Sequence, residues 1–431
     1  VSEVGSSAGP ASSEARSRSS RQAWTAVGLL WFCGFFNYAD RQAVFSVFPL
    51  LGEEFGLTKV HKGAIGSAFM VVYALMAPVA GFVVDRSSRR WLIAGGLGAW
   101  SLVCAVTGTA KSYGQLLFYR AAEGLGESFY FPASMSLLAD HHGPRTRSRA
   151  MSVHQTSVYV GTAAGGILAG VLGQRYGWRS PFWVLGVLGM LYAVFLARVL
   201  VEPKRGGAEP EEAGVSPDAK PADGPAPGFA ASVLEVIANP AAAMLLVVFA
   251  GANFVAGTLL AWLPEFVLER HRLDVQGAAT VAGLFFPAGN LIGALTGGAL
   301  ADAAARRFRA GRVLVQAAGL LLGAPCVWLA GTAGSLAVLV PSLVGIGLAK
   351  GIYDANIFAS IFDVVRPEVR GTAAGLMNTA AWASASAAPL LVGYLSMTHG
   401  LGGTIAGTSA VYIVAGVLAL AAGALVARRA R

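Results

Sequence analysis

Charge is what this sequence has least of. Only 13% of its 431 residues are Asp, Glu, Lys or Arg, roughly half the usual share of about 25% in soluble domains. Meanwhile 55% are hydrophobic and mean hydropathy is +0.60. That excludes an ordinary soluble protein and points to an integral membrane one. Cysteine is almost missing: Cys33, Cys104 and Cys326 stand far apart in apolar segments, without metal-ligand spacing, which excludes a disulfide framework and any cysteine metal cluster. The chain has no Walker loop, no HExxH, no hydrolase elbow and no nucleophile–base pair. An enzyme is therefore not expected, nor any cofactor, and transport work would draw on an ion gradient or on the substrate's own. Residues 1–22 are rich in Ser, Ala and Arg but lack an apolar core, so they read as a disordered leader rather than a signal peptide.

What is present is a recurrence of apolar runs. Twelve of them, each about 20 residues or longer, lie near 24–50, 64–84, 91–110, 115–140, 149–173, 181–201, 240–264, 278–301, 312–331, 336–362, 371–396 and 403–427. The expected fold is an all-α membrane protein of twelve transmembrane helices in two pseudo-symmetric six-helix bundles, 23–201 and 240–427. The Pro-, Gly- and charge-rich segment 202–239 cannot form a core and links them, with a short helix over Phe229–Ala238; 428–431 is a tail. With both termini on one side, that side holds 22 Lys and Arg and the other 7. The bias predicts cytoplasmic termini in a cell membrane. It also accounts for the net charge of +9 without a nucleic-acid partner. Three basic residues are left inside the membrane: Arg41, Arg120 and Lys350.

The halves echo each other. Gly81, Asp85, Arg89 and Arg90 recur as Gly298, Asp302, Arg306 and Arg307, 217 positions on; Asp140, Pro144 and Arg147 recur as Asp363, Pro367 and Arg370, 223 positions on. Parallel six-helix repeats place a transporter's site between two rocking halves. The two loops read as gating latches, an Asp at a helix end pairing with an Arg.

The run from Gln115 to Asp140 organises the chemistry. Arg120, Glu123 and Glu127 fall at i, i+3 and i+7 on one face of an otherwise apolar helix. One ionised group at a bilayer centre costs about 2.5–3.5 kcal/mol on the lenient scale, so the stripe faces a polar cavity or pairs internally. Glu123 and Glu127 are a like-charge pair that resists double ionisation in a poorly solvated place; Glu127, then Asp40, are the expected proton-coupling acids, with Glu123 either a third or a fixed partner of Arg120 or Arg41. Arg41 offers a fork to an anion, though a permanent Arg41–Glu127 or Asp40–Arg120 bridge would serve structure alone. Lys350 is a second cationic contact or the partner of Asp354. Tyr38, Asn290, Asn378, Trp382, His154, Gln155 and Tyr159 are candidate cavity-lining groups, each equally able to make an interhelical hydrogen bond.

These motifs carry a resemblance. The Gly81–Arg90 loop, its echo and the Arg120–Pro132 helix resemble the major facilitator superfamily over all twelve helices. Asn37-Tyr38-Ala39-Asp40-Arg41, Gly124–Tyr130, Met76–Arg86 and Ala139–Arg149 are similar to Spinster-like lysolipid transporters. Gly351–Phe358 and Arg370–Gly375 look more like the anion:cation symporters, which carry sugar acids. The resemblance implies alternating access, with Asp40 and Glu127 as proton-coupling acids and Arg41 as the anion contact. The expected substrate is a lysolipid- or sphingolipid-like anion or a small carboxylate, moved with protons by a monomer among membrane lipids. A sensor that keeps the fold and binds a ligand is the rival of another class.

Overall fold

The computed structural model describes residues 10–142, 146–204, 229–366 and 369–428. They form sixteen helices and, among the described residues, no strand. In the N-terminal half these are α1 (Pro10–Ser46), α2 (Phe48–Phe55), α3 (Lys59–Arg86), α4 (Arg89–Thr107), α5 (Tyr113–Glu127), α6 (Tyr130–His141), α7 (Arg147–Tyr176) and α8 (Arg179–Val199). A short α9 (Phe229–Ala238) precedes α10 (Pro240–His271), α11 (Val275–Arg307), α12 (Gly311–Thr332), α13 (Leu336–Asp354), α14 (Ile357–Phe362), α15 (Arg370–Gly407) and α16 (Ser409–Arg428). Nine described helical runs are long and apolar enough to cross a membrane, and the last of them, Thr372–Arg428, holds two crossings. α1 and the α5–α6 pair complete the twelve.

Several boundaries differ from the sequence reading. α1 starts at Pro10, inside the stretch expected to be disordered, because Ala, Glu and Arg are good helix formers and extend the apolar helix backwards. Residues 1–9, 205–228 and 429–431, parts of the expected leader, linker and tail, lie outside the described residues. The run expected as one helix over 115–140 is broken after Glu127. Pro132 lacks an N–H and its ring crowds the carbonyl of Ser128 four residues back, so α5 ends and α6 restarts at Tyr130. The run over 336–362 breaks likewise at Ala355–Asn356, where Asn356 Nδ2 donates to the carbonyls of Gly297 (3.1 Å) and Ile352 (3.5 Å) instead of leaving the helix ladder undisturbed. Gly400 (φ 69°) turns the chain between the last two crossings, in a region open to glycine.

The small-residue stripes let backbones touch. A side chain at Gly161 would meet Phe35 of α1, and Gly165 lies against Ala39. In the other half Gly289, Gly293 and Gly297 of α11 lie against Val344, Leu348 and Ile352 of α13. The repeat is visible in contacts as well as letters. Gly124 of α5 sits on the carbonyl of Phe69, and Gly347 of α13 on that of Phe286, counterparts displaced by 223 and 217.

Two buried clusters show how the halves meet. The larger joins residues of both halves, among them Phe45, Phe48, Ile65, Trp262, Phe266 and Val392. The smaller, around Leu30, Trp100, Tyr130 and Leu137, stays within the N-terminal half. Shared packing lies at the end of the bundle away from the chain termini, here called the far end. There Gly63 and Gly66 of α3 press on Pro389 of α15, and Gly170 of α7 on Ala279 of α11. The end carrying the termini, the near end, is where the halves part.

Candidate functional site

The parting encloses a cavity of about 920 Å³ between the halves. It runs from Phe45 and Leu260, deep in the molecule, to Val233 on α9 and Thr372 at the start of α15, so it opens at the near end. All three in-membrane cations, Arg41, Arg120 and Lys350, line it, as do Tyr38, Gln155, Tyr159, Asn290, Asn378 and Trp382. Much of the remaining wall is apolar, including Met70, Phe131, Phe249, Phe286 and Leu376.

Arg41 is the centre of this arrangement. Its guanidinium lies over four rings, Tyr38 (4.7 Å), Tyr73 (4.7 Å), Phe69 (4.9 Å) and Trp382 (5.5 Å). The first three come from α1 and α3; Trp382 comes from the other half and meets Tyr73 at 4.4 Å between ring centres, the two rings tilted by 39°. Behind the rings Arg41 Nε donates to Glu127 Oε2, which also accepts from Asn37 Nδ2 at 3.0 Å. Phe69 is shared with Arg120, whose guanidinium lies 4.9 Å from the same ring and bonds Glu123. The bridge that would serve structure alone, Arg41–Glu127, is thus present. Asp40 turns the other way, as a residue one helical step from Arg41 must. It packs inside the N-terminal half near Glu123 and Cys104, whose ligand atoms and its own all lie within 4.8 Å of one another. One oxygen each of Asp40, Glu123 and Glu127 is buried without a hydrogen-bond partner.

The three expected acids therefore do not line the cavity; they stand one layer behind it, with Arg41 and Arg120 between. The stripe of Arg120, Glu123 and Glu127 does share a face, but at the short range of a tight helix crossing it pairs with its own cations before it reaches open space. Lys350 Nζ holds both oxygens of Asp354 at 2.5 and 2.6 Å while still reaching the cavity wall. His154 is a correction. It is buried, 2.7 Å from the hydroxyl of Tyr130, which itself donates to Leu30 O at 2.7 Å. Gln155, one residue and about 100° further round α7, is the one that faces the cavity.

The residues expected as gating latches make ion pairs and backbone contacts of several kinds. Arg89, fully buried, joins Asp140 of α6 and Glu202 beyond α8 and donates to Ser136 Oγ. Its counterpart is not Arg306 but Arg312, 223 positions on, which pairs with Asp363 at 3.0 Å and Asp302 at 3.6 Å. The stretch from Asp302 to Arg312 is six residues longer than that from Asp85 to Arg89, which shifts the register from 217 to 223, so the Arg306–Arg307 echo of the letters is not an echo in space. Arg306 and Arg307 are exposed; Arg90 donates to Ala197 O; Arg147 donates to Ala139 O and Arg370 to Phe362 O, each at 3.3 Å. The side chain of Asp85 lies outside the described residues. Glu202, which no motif marked, caps α4. Partial burial works against its charge, but bonds from Ser88 Oγ, the N–H groups of Arg90 and Arg89 and the Arg89 side chain prevail and hold its carboxyl at about 2.

A family model, the Major Facilitator Superfamily, matches residues 30–389. The chain belongs to that superfamily. Its relatives and its fold are those of facilitator transporters, not of enzymes. It is 26% identical over 313 residues to "Protein spinster" of Drosophila melanogaster, a match over 71% of this chain and 50% of that one, so it spans about half the length of that relative. It is 26% identical to the "Probable L-galactonate transporter" of Escherichia coli (strain K12), over 87% of this chain and 83% of that one. A solved bacterial homologue of the human lysosomal transporter Spinster, described as inward-facing and unoccupied, superposes with a TM-score of 0.84 at 22% identity, covering 95% and 98% of the two chains. The facilitator fold, multi-pass in the membrane, is thereby shared.

Proposed function

We propose that this facilitator moves a lysophospholipid- or sphingolipid-like anion by alternating access, coupled to protons. The observation that carries the reading is the cavity: about 920 Å³, near the top of the range of about 300–1,000 Å³ for drug-sized ligands, with cations at its inner wall and apolar residues around them. A six-carbon acid leaves most of that space and its apolar wall unused, whereas a headgroup at Arg41 with one acyl chain beyond it fills both. Towards the near end α3 and α15 present small residues, Ala74, Ala77 and Gly375, above the Tyr73–Trp382 ring pair, leaving room for a chain. A proton on Glu127 removes the charge that Arg41 pairs with and frees the guanidinium for the anion. Glu127 is the coupling acid, Asp40 and Glu123 its buried neighbours. Each chain encloses a complete cavity, which favours a monomer among lipids. The excess of Lys and Arg on the termini side supports cytoplasmic termini in the cell membrane, so the cavity here opens inward.

A second reading, symport of a small carboxylate, is favoured by polar groups on both halves: Arg41 and Gln155 on one side, Lys350, Asn290 and Asn378 on the other. Uptake of labelled lysophospholipid and of labelled hexuronate into proteoliposomes, with and without a pH gradient, separates them. Accumulation of hexuronate alone overturns the lipid reading; binding without any uptake favours a sensor.

A further inference from the structure

The charges that close the far end belong to no motif and take no part in the cavity. Lys62 of α3 crosses from one half to Glu265 of α10 in the other, Nζ to Oε1 at 2.7 Å, with side chains only 8% and 3% exposed. Just outside it Lys59 meets Glu269 at 2.9 Å in a partly exposed second rung. The spacings i, i+3 on α3 and i, i+4 on α10 set the two rungs on facing stripes. The inner rung packs closely on α2: a Cβ at Gly52 would lie 2.7 Å from Cε and 2.8 Å from Nζ of Lys62. Beside it, Pro264 cannot donate to the carbonyl of Leu260, and that freed oxygen accepts Gln42 Nε2 of the other half at 2.9 Å. The second oxygen of Glu265 is buried without a hydrogen-bond partner.

The geometry points to Lys62 and Glu265 as positioning residues that set the ratio of far-closed to far-open carrier; this rests on the alternating-access reading above. A buried ion pair contributes little beyond apolar packing, because desolvation offsets attraction, yet removing one partner strands a charge out of water. When the halves separate, both ends regain water. The bridge thus leaves the two states close in energy while fixing their register, and truncating either partner penalises only the closed one.

The test uses the full chain in lipid nanodiscs with spin labels on Lys111→Cys and Ser335→Cys, exposed positions at the far end of the two halves, the unsubstituted chain serving as labelling background. Parent protein gives mainly the short distance. Lys62→Gln and Glu265→Lys each raise the long-to-short ratio at least about tenfold, and the swap Lys62→Glu with Glu265→Lys restores the short distance. An unchanged distribution in the single variants overturns the inference, as does a swap that stays open, since a merely structural role would not be rescued by exchanging charges. Should Lys62→Gln fail to fold, Glu265→Gln keeps the shape of the acid, removes its charge and must give the same opening. The distances are read without transport: absence of lysolipid uptake defeats the proposed function and leaves the latch standing, while unchanged distances defeat the latch alone.

Discussion

On the proposed function, an incoming anion and Glu127 compete for the one guanidinium of Arg41. At 4 Å and an effective dielectric of about 20 such a contact has a Coulomb term of about 4 kcal/mol before desolvation, enough to hold a substrate and little enough to release it. Arg41→Ala is expected to weaken lysolipid binding at least about tenfold; an unaltered affinity in a titration removes it from the site. Glu127→Gln is expected to abolish pH-driven accumulation and keep exchange, and unchanged pH-driven uptake would refute the coupling role. Glu202 gives a pH dependence of stability. Its folded value of about 2 lies below the ordinary value of about 4.3. It therefore stabilises the fold above that ordinary value, and the stabilisation is lost as pH falls from about 5 through about 2. Thermal unfolding of Glu202→Gln in detergent should converge with the parent's at the low end of that window and separate above it. The three membrane cations were legible as cavity residues because so few basic residues fall inside apolar runs. Glu202 and the direction of His154 were not: capping and helix phase depend on neighbours that a sequence does not name.

Helices here are held together by close backbones. Gly293→Val puts a branched side chain where Leu348 of α13 already lies; overpacking of this kind costs typically about 1–3 kcal/mol and should lower the melting temperature, which Gly298→Val, with nothing within 4 Å, should not. The two latches differ in burial although they are related by the repeat. Arg89→Ala removes a buried cation from Asp140 and Glu202, themselves only 16% and 26% exposed, and should cost more than loss of Arg312, which at 32% makes a surface pair of about 0–1 kcal/mol. Equal loss in denaturation of the two variants would contradict this. The break at Ser128 was not readable from Pro132 alone, because Pro264, Pro287, Pro325, Pro341 and Pro389 each lie inside a helix that continues past them. Nor was the break at Asn356, because it follows from a side-chain bond to α11.

For the whole molecule, the twelve crossings and the paired halves follow from run length and from two repeated spacings, and these are the features the fold retains. The sequence could not assign Lys59 and Lys62 to anything but a loop count, since their partners lie about 200 residues away on the other half. Nor could spacing show that the acids stand behind the cavity. The Trp382 ring has a wider implication. Among the described residues it is the one ring over Arg41 contributed by the C-terminal half, so a motion that drew the halves apart there would strip one wall from the guanidinium. A ring–cation contact is worth about 0.5–2 kcal/mol. On the proposed function, the hold on an anion at this arginine therefore belongs to neither half by itself, and a swing of one against the other retunes it.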